Sequence, residues 1–343
     1  MNKVDIIKLA EKINDYWIKQ NPDVGNCAWE RAAYFLGDMA AYEITGKKEY
    51  LTLAAEWAKQ NQWKFYYNPT DPNYTIDDYM TCADYLLCGE IYIELMDRYG
   101  IEGTDKYILG DLEKTLEDPK SDYWWWIDTI YMALNFYNIM AARRCDMRYA
   151  EKVYKLFYNS AVERKCYDTE AHLWFRDENY LPDRVLTKSG KKVFWARGNG
   201  WVFAGLARTL EHMTKEHKYY DEYKRIFCEM AYAIKATQLE DGFWRTSMLE
   251  PDEYPEAETS GTVLFVLGYL KGIRLGILDK DEFYETAMRG FEGLLRDALT
   301  EEGRLCRVQG VAGWPGPVAV NNSNDYAVGA MLQVLRELVW LNE

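Results

Sequence analysis

Helical periodicity recurs along almost the whole chain, and the segments carrying it are joined by connections that alternate between short and long. Apolar residues return every three to four positions in twelve stretches. These read as helices at roughly 3–20, 27–45, 48–63, 77–99, 105–116, 124–143, 147–162, 198–217, 220–239, 257–276, 280–297 and 321–341. Brief turns such as ITGKKEY, RYGIEGTDKY and LGILDKDEF follow even-numbered helices, whereas the longer segments 64–76, 117–123, 163–197, 240–256 and 298–320 precede them. Helical hairpins with such unequal loops fit a closed toroid better than an open solenoid, whose repeats keep one length and a readable consensus. The expected fold is all-α: an (α/α)6 barrel, six inner helices alternating with six outer ones, with residues 1–343 forming a single domain. A small β-hairpin is expected in the 163–197 excursion, around Lys188-Ser189-Gly190.

Loops on a rigid scaffold are where function concentrates, so the long-loop face is the place to look. The inner helices begin there with Trp29-Glu30-Arg31, Asp77-Asp78, Trp126-Ile127-Asp128, Arg197-Gly-Asn-Gly-Trp201, Glu258-Thr259-Ser260 and Asn322 to Asp325. Taken singly, Asp77, Ser260 and Asn322 are ordinary helix caps or first-turn polar groups, and Gly198 and Gly200 permit close packing. All six clusters at one mouth are much harder to explain by capping alone.

The remaining composition narrows the chemistry. A net charge of −14 without a basic stripe excludes nucleic acid as the expected partner. Three histidines (His172, His212 and His217) and seven scattered cysteines, none in a CxxC pair, disfavour a catalytic zinc; no metal or other cofactor is expected. GxSxG, P-loop and dinucleotide motifs are missing from the sequence. No run reaches membrane-spanning length, and the start MNKVDIIKLAEKINDYW is amphipathic without an apolar leader, so the expectation is a cytoplasmic protein, monomer or homodimer, with no membrane partner. Thirteen Trp and 28 Tyr fit either a large aromatic core or stacking on sugar rings. What is left at the mouth is carboxylates, arginine and aromatics, the set that glycoside chemistry uses.

The blocks IDDYMTCADYLL, DYWWWIDTIYMAL, LWFRDENYL, FWARGNGWVFAGLARTLE, QLEDGFWRTSMLEPDEYPEAETSGTVLF and NDYAVGAMLQVLREL follow one another along nearly the whole chain. In that order they resemble glycoside hydrolase family 105, the unsaturated rhamnogalacturonyl and glucuronyl hydrolases, kin of family 88. The resemblance implies an (α/α)6 barrel and an unusual reaction on oligosaccharides left by polysaccharide lyases. The terminal 4,5-unsaturated uronic acid is hydrated at its C4=C5 vinyl ether, with a proton going to C4 and water to C5. The hemiketal then opens and releases the next sugar, so the carboxylate-spacing rule for ordinary glycosidases does not apply.

By position in the motifs, Asp128 matches the family's general acid/base and Asp77 its second essential aspartate. Trp195, Arg197 and Trp201 match residues that hold the unsaturated uronate, Arg197 by pairing with its carboxylate and the indoles by walling the ring. Trp29, His172, Arg176, Glu258, Thr259 and Ser260 complete the set expected to bind the unsaturated uronyl oligosaccharide. Asp128 must keep a proton near neutral pH to deliver it, so burial and a neighbouring carboxylate should raise its proton affinity. The chain departs from the family pattern at Cys82, where glycine is usual, at Met132-Ala133-Leu134-Asn135, where Met-Ala-Pro-Pro is common, and at Arg176, where a histidine contacts substrate. The competing readings are a different (α/α)6 enzyme and a non-catalytic carbohydrate-binding protein.

Overall fold

The computed structural model describes residues 1–65 and 82–342. Among them are twelve α-helices: α1 (Lys3–Gln20), α2 (Trp29–Thr45), α3 (Lys48–Gln60), α4 (Cys88–Asp97), α5 (Lys106–Glu117), α6 (Asn135–Arg144), α7 (Arg148–Tyr158), α8 (Ala196–His212), α9 (Tyr220–Ala236), α10 (Thr259–Arg274), α11 (Lys280–Gly293) and α12 (Asp325–Leu341). The even helices contact one another in sequence order, and α12 packs against both α10 and α2, so the ring closes. Of the odd helices, α1 and α3 each lie against two even neighbours, α7, α9 and α11 against the even helix before them, and α5 against α7. This is the (α/α)6 barrel.

Burial follows from the sequence pattern. In α8 every residue from Ala196 to Leu210 is buried, and in α10 every residue from Thr259 to Ile273. A helix covered on all sides should be apolar or small all round; both sequences largely are, and the exceptions Arg197, Arg208 and Lys271 are held by buried partners. In α7, by contrast, exposed Glu151, Lys155 and Tyr158 face outward while Val153, Leu156 and Phe157 are buried. Glycine sets how closely the inner helices approach. A Cβ on Gly329 of α12 would stand 2.0 Å from the Ala33 carbonyl oxygen, and one on Gly37 of α2 would stand 2.3 Å from that of Gly329. The α2–α12 seam is therefore a backbone-to-backbone contact.

Two details differ from the sequence reading. The hairpin lies earlier in the excursion, pairing β1 (Tyr167–Asp168) with β2 (Leu173–Trp174), where Tyr167 opposes Trp174. Around Lys188-Ser189-Gly190 there is only a tight turn, closed by the Thr187 amide donating to the Lys191 carbonyl at 2.9 Å. Its flanks find no partner strand, so turn residues alone did not make a ladder.

The helix expected over 124–143 also starts late. The three tryptophans and Asp128 occupy an irregular turn, followed by one π-helical turn at Ile130–Leu134 and only then by α6. π-turns are frequent at functional sites, and this one separates Asp128, which lines the mouth, from the regular helix α6. Likewise α4 begins at Cys88, after a 3-10 turn over Ala83–Tyr85.

Candidate active site

The N-terminal ends of the inner helices surround a cavity of about 190 Å³, lined by Trp29, Asp84, Trp126, Asp128, Met132, Arg176, Arg197, Trp201, Val311 and Ala312. A larger cavity of about 290 Å³ lies at the other end, among the C-terminal turns of α2, α4, α8, α10 and α12. There the charges hold each other: Lys271 meets Glu337 at 2.9 Å with both side chains fully buried, Arg336 meets Glu43 at 2.7 Å, and Arg208 meets Glu90 at 2.5 Å. That end is a structural ion network. The carboxyls, arginines and tryptophans of the mouth converge on the smaller cavity.

Asp128 is fixed by its backbone. Its carbonyl accepts from the amides of Tyr131 and Met132 at 3.0 and 3.3 Å, and the preceding Ile127 amide donates to the Arg176 carbonyl at 3.1 Å. The side chain is 15% exposed, and its Oδ2 has no hydrogen-bond partner. Arg176 Nε, equally without a partner, stands 3.9 Å away. Burial pushes the Asp128 carboxyl up, while Arg176 and then Arg197 pull it back.

Asp84, from the 3-10 turn before α4, lines the same cavity. Burial and the charge of Asp128 push its carboxyl up to about 7, against Arg176. Two carboxyls in one desolvated site cannot both ionise easily, so they retain one proton between them into neutral pH and titrate as a pair. The sequence reading missed Asp84. Its signal was an acid just ahead of an inner helix, as with Asp128. Asp77 itself lies outside the described residues.

Arg197, which lines the cavity, is bonded within the protein itself. Its Nη1 donates to the Gln309 carbonyl (2.6 Å), Tyr326 Oη (3.1 Å) and Ser260 Oγ (3.3 Å), and its Nη2 to the carbonyls of Gly310 (2.9 Å) and Ala312 (3.3 Å). Both terminal nitrogens thus tie down the 309–312 loop, which forms one wall of the cavity. Glu258 works on the same loop: its Oε1 accepts from the amides of Ser260 (2.7 Å) and Gln309 (3.0 Å), and its Oε2 from the Gly261 amide (2.7 Å). Glu258 is the N-cap of α10, an interaction worth about 1 kcal/mol.

The aromatic walls are Trp29, Trp126 and Trp201. Trp29 stacks on Tyr326 with centroids 5.2 Å apart, and Trp201 packs on Tyr131 at 4.6 Å. Trp195 is not at the wall; it is buried behind Arg197, and its Nε1 donates to Gln309 Oε1 at 2.8 Å. Thr259 Oγ1 donates to the Cys306 carbonyl at 2.7 Å, and Ser260 supports Arg197 from below, so neither lines the cavity. His172 sits on the hairpin with a left-handed backbone (φ 53°), its side chain 41% exposed beside Tyr167 and Glu229, away from the mouth.

The family model for Glycosyl Hydrolase Family 88 matches residues 7–341. The chain belongs to the family 88/105 glycoside hydrolases. Members are the unsaturated uronyl hydrolases, which act on lyase-derived unsaturated oligosaccharides. An unsaturated 3S-rhamnoglycuronyl hydrolase of Formosa agariphila is 30% identical over 92% of this chain and 85% of its own length. A family 88 structure from Bacteroides vulgatus superimposes with a TM-score of 0.90 at 28% identity, covering 99% of each chain. Another solved structure, named as a polysaccharide lyase, gives 0.90 at 33% identity over 98% of this chain and 97% of that one. Within this family 88/105 frame, the described part of the cavity offers two carboxyls, one arginine with an unengaged donor, and an aromatic enclosure of about one sugar's size.

Proposed function

We propose that Asp84 and Asp128 together hydrate the C4=C5 bond of an unsaturated uronic acid held in the 190 Å³ cavity, releasing the sugar attached to it. The observation that carries this reading is the carboxyl pair itself: two acids raised by burial, one by the other's charge, beside a single arginine with an unused donor. The O–H bond of the protonated carboxyl breaks as a C4–H bond forms, leaving the positive charge on C5 and the ring oxygen. Water adds to C5, and its proton passes to the ionised carboxyl, so the pair ends with the proton count it began with. The resulting hemiketal opens and expels the neighbouring sugar.

Arg176 suits the uronate carboxylate. C6 is two carbon–carbon bonds from C4, about 2.5 Å, so a proton donor at C4 places the carboxylate within reach of a guanidinium 3.9 Å from Asp128. Trp29 and Trp201 enclose the ring. Lyase action has already erased the configuration at C4, so glucuronate and galacturonate precursors arrive as the same terminal residue.

For the sugar released, the curated relatives are named for rhamnoglycuronyl or rhamnogalacturonyl substrates, which points to rhamnose. A panel of lyase-generated unsaturated disaccharides, followed by the absorbance of the conjugated double bond, tests both parts. Absorbance should fall, and fastest with rhamnose at the second position. A flat trace on every disaccharide contradicts the assignment. A rise on the intact polysaccharide would favour the lyase reading that one structural neighbour's name raises.

A further inference from the structure

Arg176 and Asp128 present an unresolved contact. Nε of the one and Oδ2 of the other are both buried and both lack a hydrogen-bond partner, yet they stand 3.9 Å apart, too far to satisfy each other. Elsewhere the guanidinium is firmly placed. Its Nη1 donates to Asp177 at 2.5 Å, the Trp125 ring covers it at 5.0 Å, and the backbone of Gly313 packs so closely that a Cβ there would meet Cζ at 3.2 Å. A buried donor without a partner in a binding cavity is an invitation to a ligand oxygen. A buried carboxylate oxygen without a partner is equally in need of a proton.

We propose that the substrate's own carboxylate arms the acid: by taking Arg176 Nε, it releases Asp128 from the guanidinium's field, and the Asp84–Asp128 pair takes up its working proton as the uronate binds. This rests on the reading of the cavity as a site for an unsaturated uronate. Both unsatisfied atoms are then accounted for, Nε by a uronate oxygen and Oδ2 by the proton.

The charged and titratable groups that face Arg176 among the described residues are consistent with such an exchange. Asp84 and Asp128 lie on the cavity side, Asp177 beside it, Arg197 across from α8, and Cys166 and Tyr180 behind. Arg176 holds down the proton affinity of both cavity carboxyls, and for Asp128 it is the largest influence opposing burial. Neutralising it therefore raises the affinity of the pair. Asp177, already bonded to Nη1, keeps the side chain from swinging out when Nε takes the uronate oxygen.

The pH dependence of steady-state kinetics separates the free enzyme from the complex, since kcat/KM reports the first and kcat the second. Activity requires the proton and is lost as pH rises through the pair's titration. The alkaline limb of kcat should thus lie about one pH unit above that of kcat/KM. In Arg176→Gln the kcat/KM limb should move up toward the wild-type kcat limb, while KM rises at least about tenfold because the uronate loses a charged partner. Arg176→Lys should keep the wild-type ordering of limbs. Normal turnover with coincident wild-type limbs, or an unmoved kcat/KM limb in Arg176→Gln, overturns this inference and leaves the hydrolase reading standing. Absence of turnover on any unsaturated disaccharide overturns both.

Discussion

At the scale of single residues, the activity is assigned to two carboxyls whose environments keep a proton that solvent would remove. Replacing either by an amide keeps size and shape but removes proton transfer, so Asp84→Asn and Asp128→Asn should each lower kcat by about 10²–10⁴-fold. Circular dichroism and melting temperature should stay near wild type, which separates this loss from misfolding. How well the sequence announced each residue tracks how local its setting is. Asp128 follows three tryptophans and precedes an apolar run, so its burial was written in its neighbours. Asp84 depends on a 3-10 turn that places it in the same cavity as Asp128 and within reach of its charge, a pairing across 44 positions in sequence that no local pattern carries. The role of Arg197 was hidden for a similar reason, since its partners are carbonyls at 309, 310 and 312. Carbonyl orientation in a distant loop has no signature in residue type.

At the scale of elements, helix existence was legible from periodicity, as were the starts of α1, α3, α9 and α11, whereas the starts of α4 and α6 were not. The outer helices run close to their expected spans because a single buried stripe defines them. Of the inner helices that carry the site, α8 begins near its expected start, while α4 begins only after a 3-10 turn and α6 after a π-turn. There the backbone gives up regular hydrogen bonding to aim side chains into the cavity. The hairpin was expected some twenty residues too late because Gly190 (φ 82°) marks a turn without supplying a second strand. Close approach between inner helices leaves a sharper mark. A methyl group on Gly329 would overlap the backbone at Ala33 and Tyr34, atoms that cannot move aside without displacing α2. Gly329→Ala should therefore cost about 3 kcal/mol, read as a lower denaturant midpoint at unchanged slope. A variant as stable as wild type would mean that the seam is looser than described.

At the scale of the whole molecule, the closed ring was readable because alternating loop lengths and twelve periodic segments leave few other architectures. Its energetics were less so, since buried polar groups are set by tertiary packing. Asp38 of α2 is wholly buried; Asn14 Nδ2 donates to its Oδ1 at 2.7 Å, and its Oδ2 has no partner. Burial pushes this carboxyl up to about 8, far above the roughly 4 of an unfolded aspartate. The folded state therefore holds a proton that the unfolded state has released, and stability falls by about 1.4 kcal/mol per unit as pH rises between those values. Asp38→Asn should flatten the decline, read as a smaller difference in melting temperature between pH 5 and pH 8. Hydration of the double bond differs from ordinary glycoside hydrolysis in where solvent attacks the sugar. Turnover of an unsaturated disaccharide in D2O, followed by NMR at early times, should place one deuterium at C4 with a defined stereochemistry while the uronate opens to a C5 ketone. Solvent entering at C1 with the C4=C5 bond left intact would contradict the account.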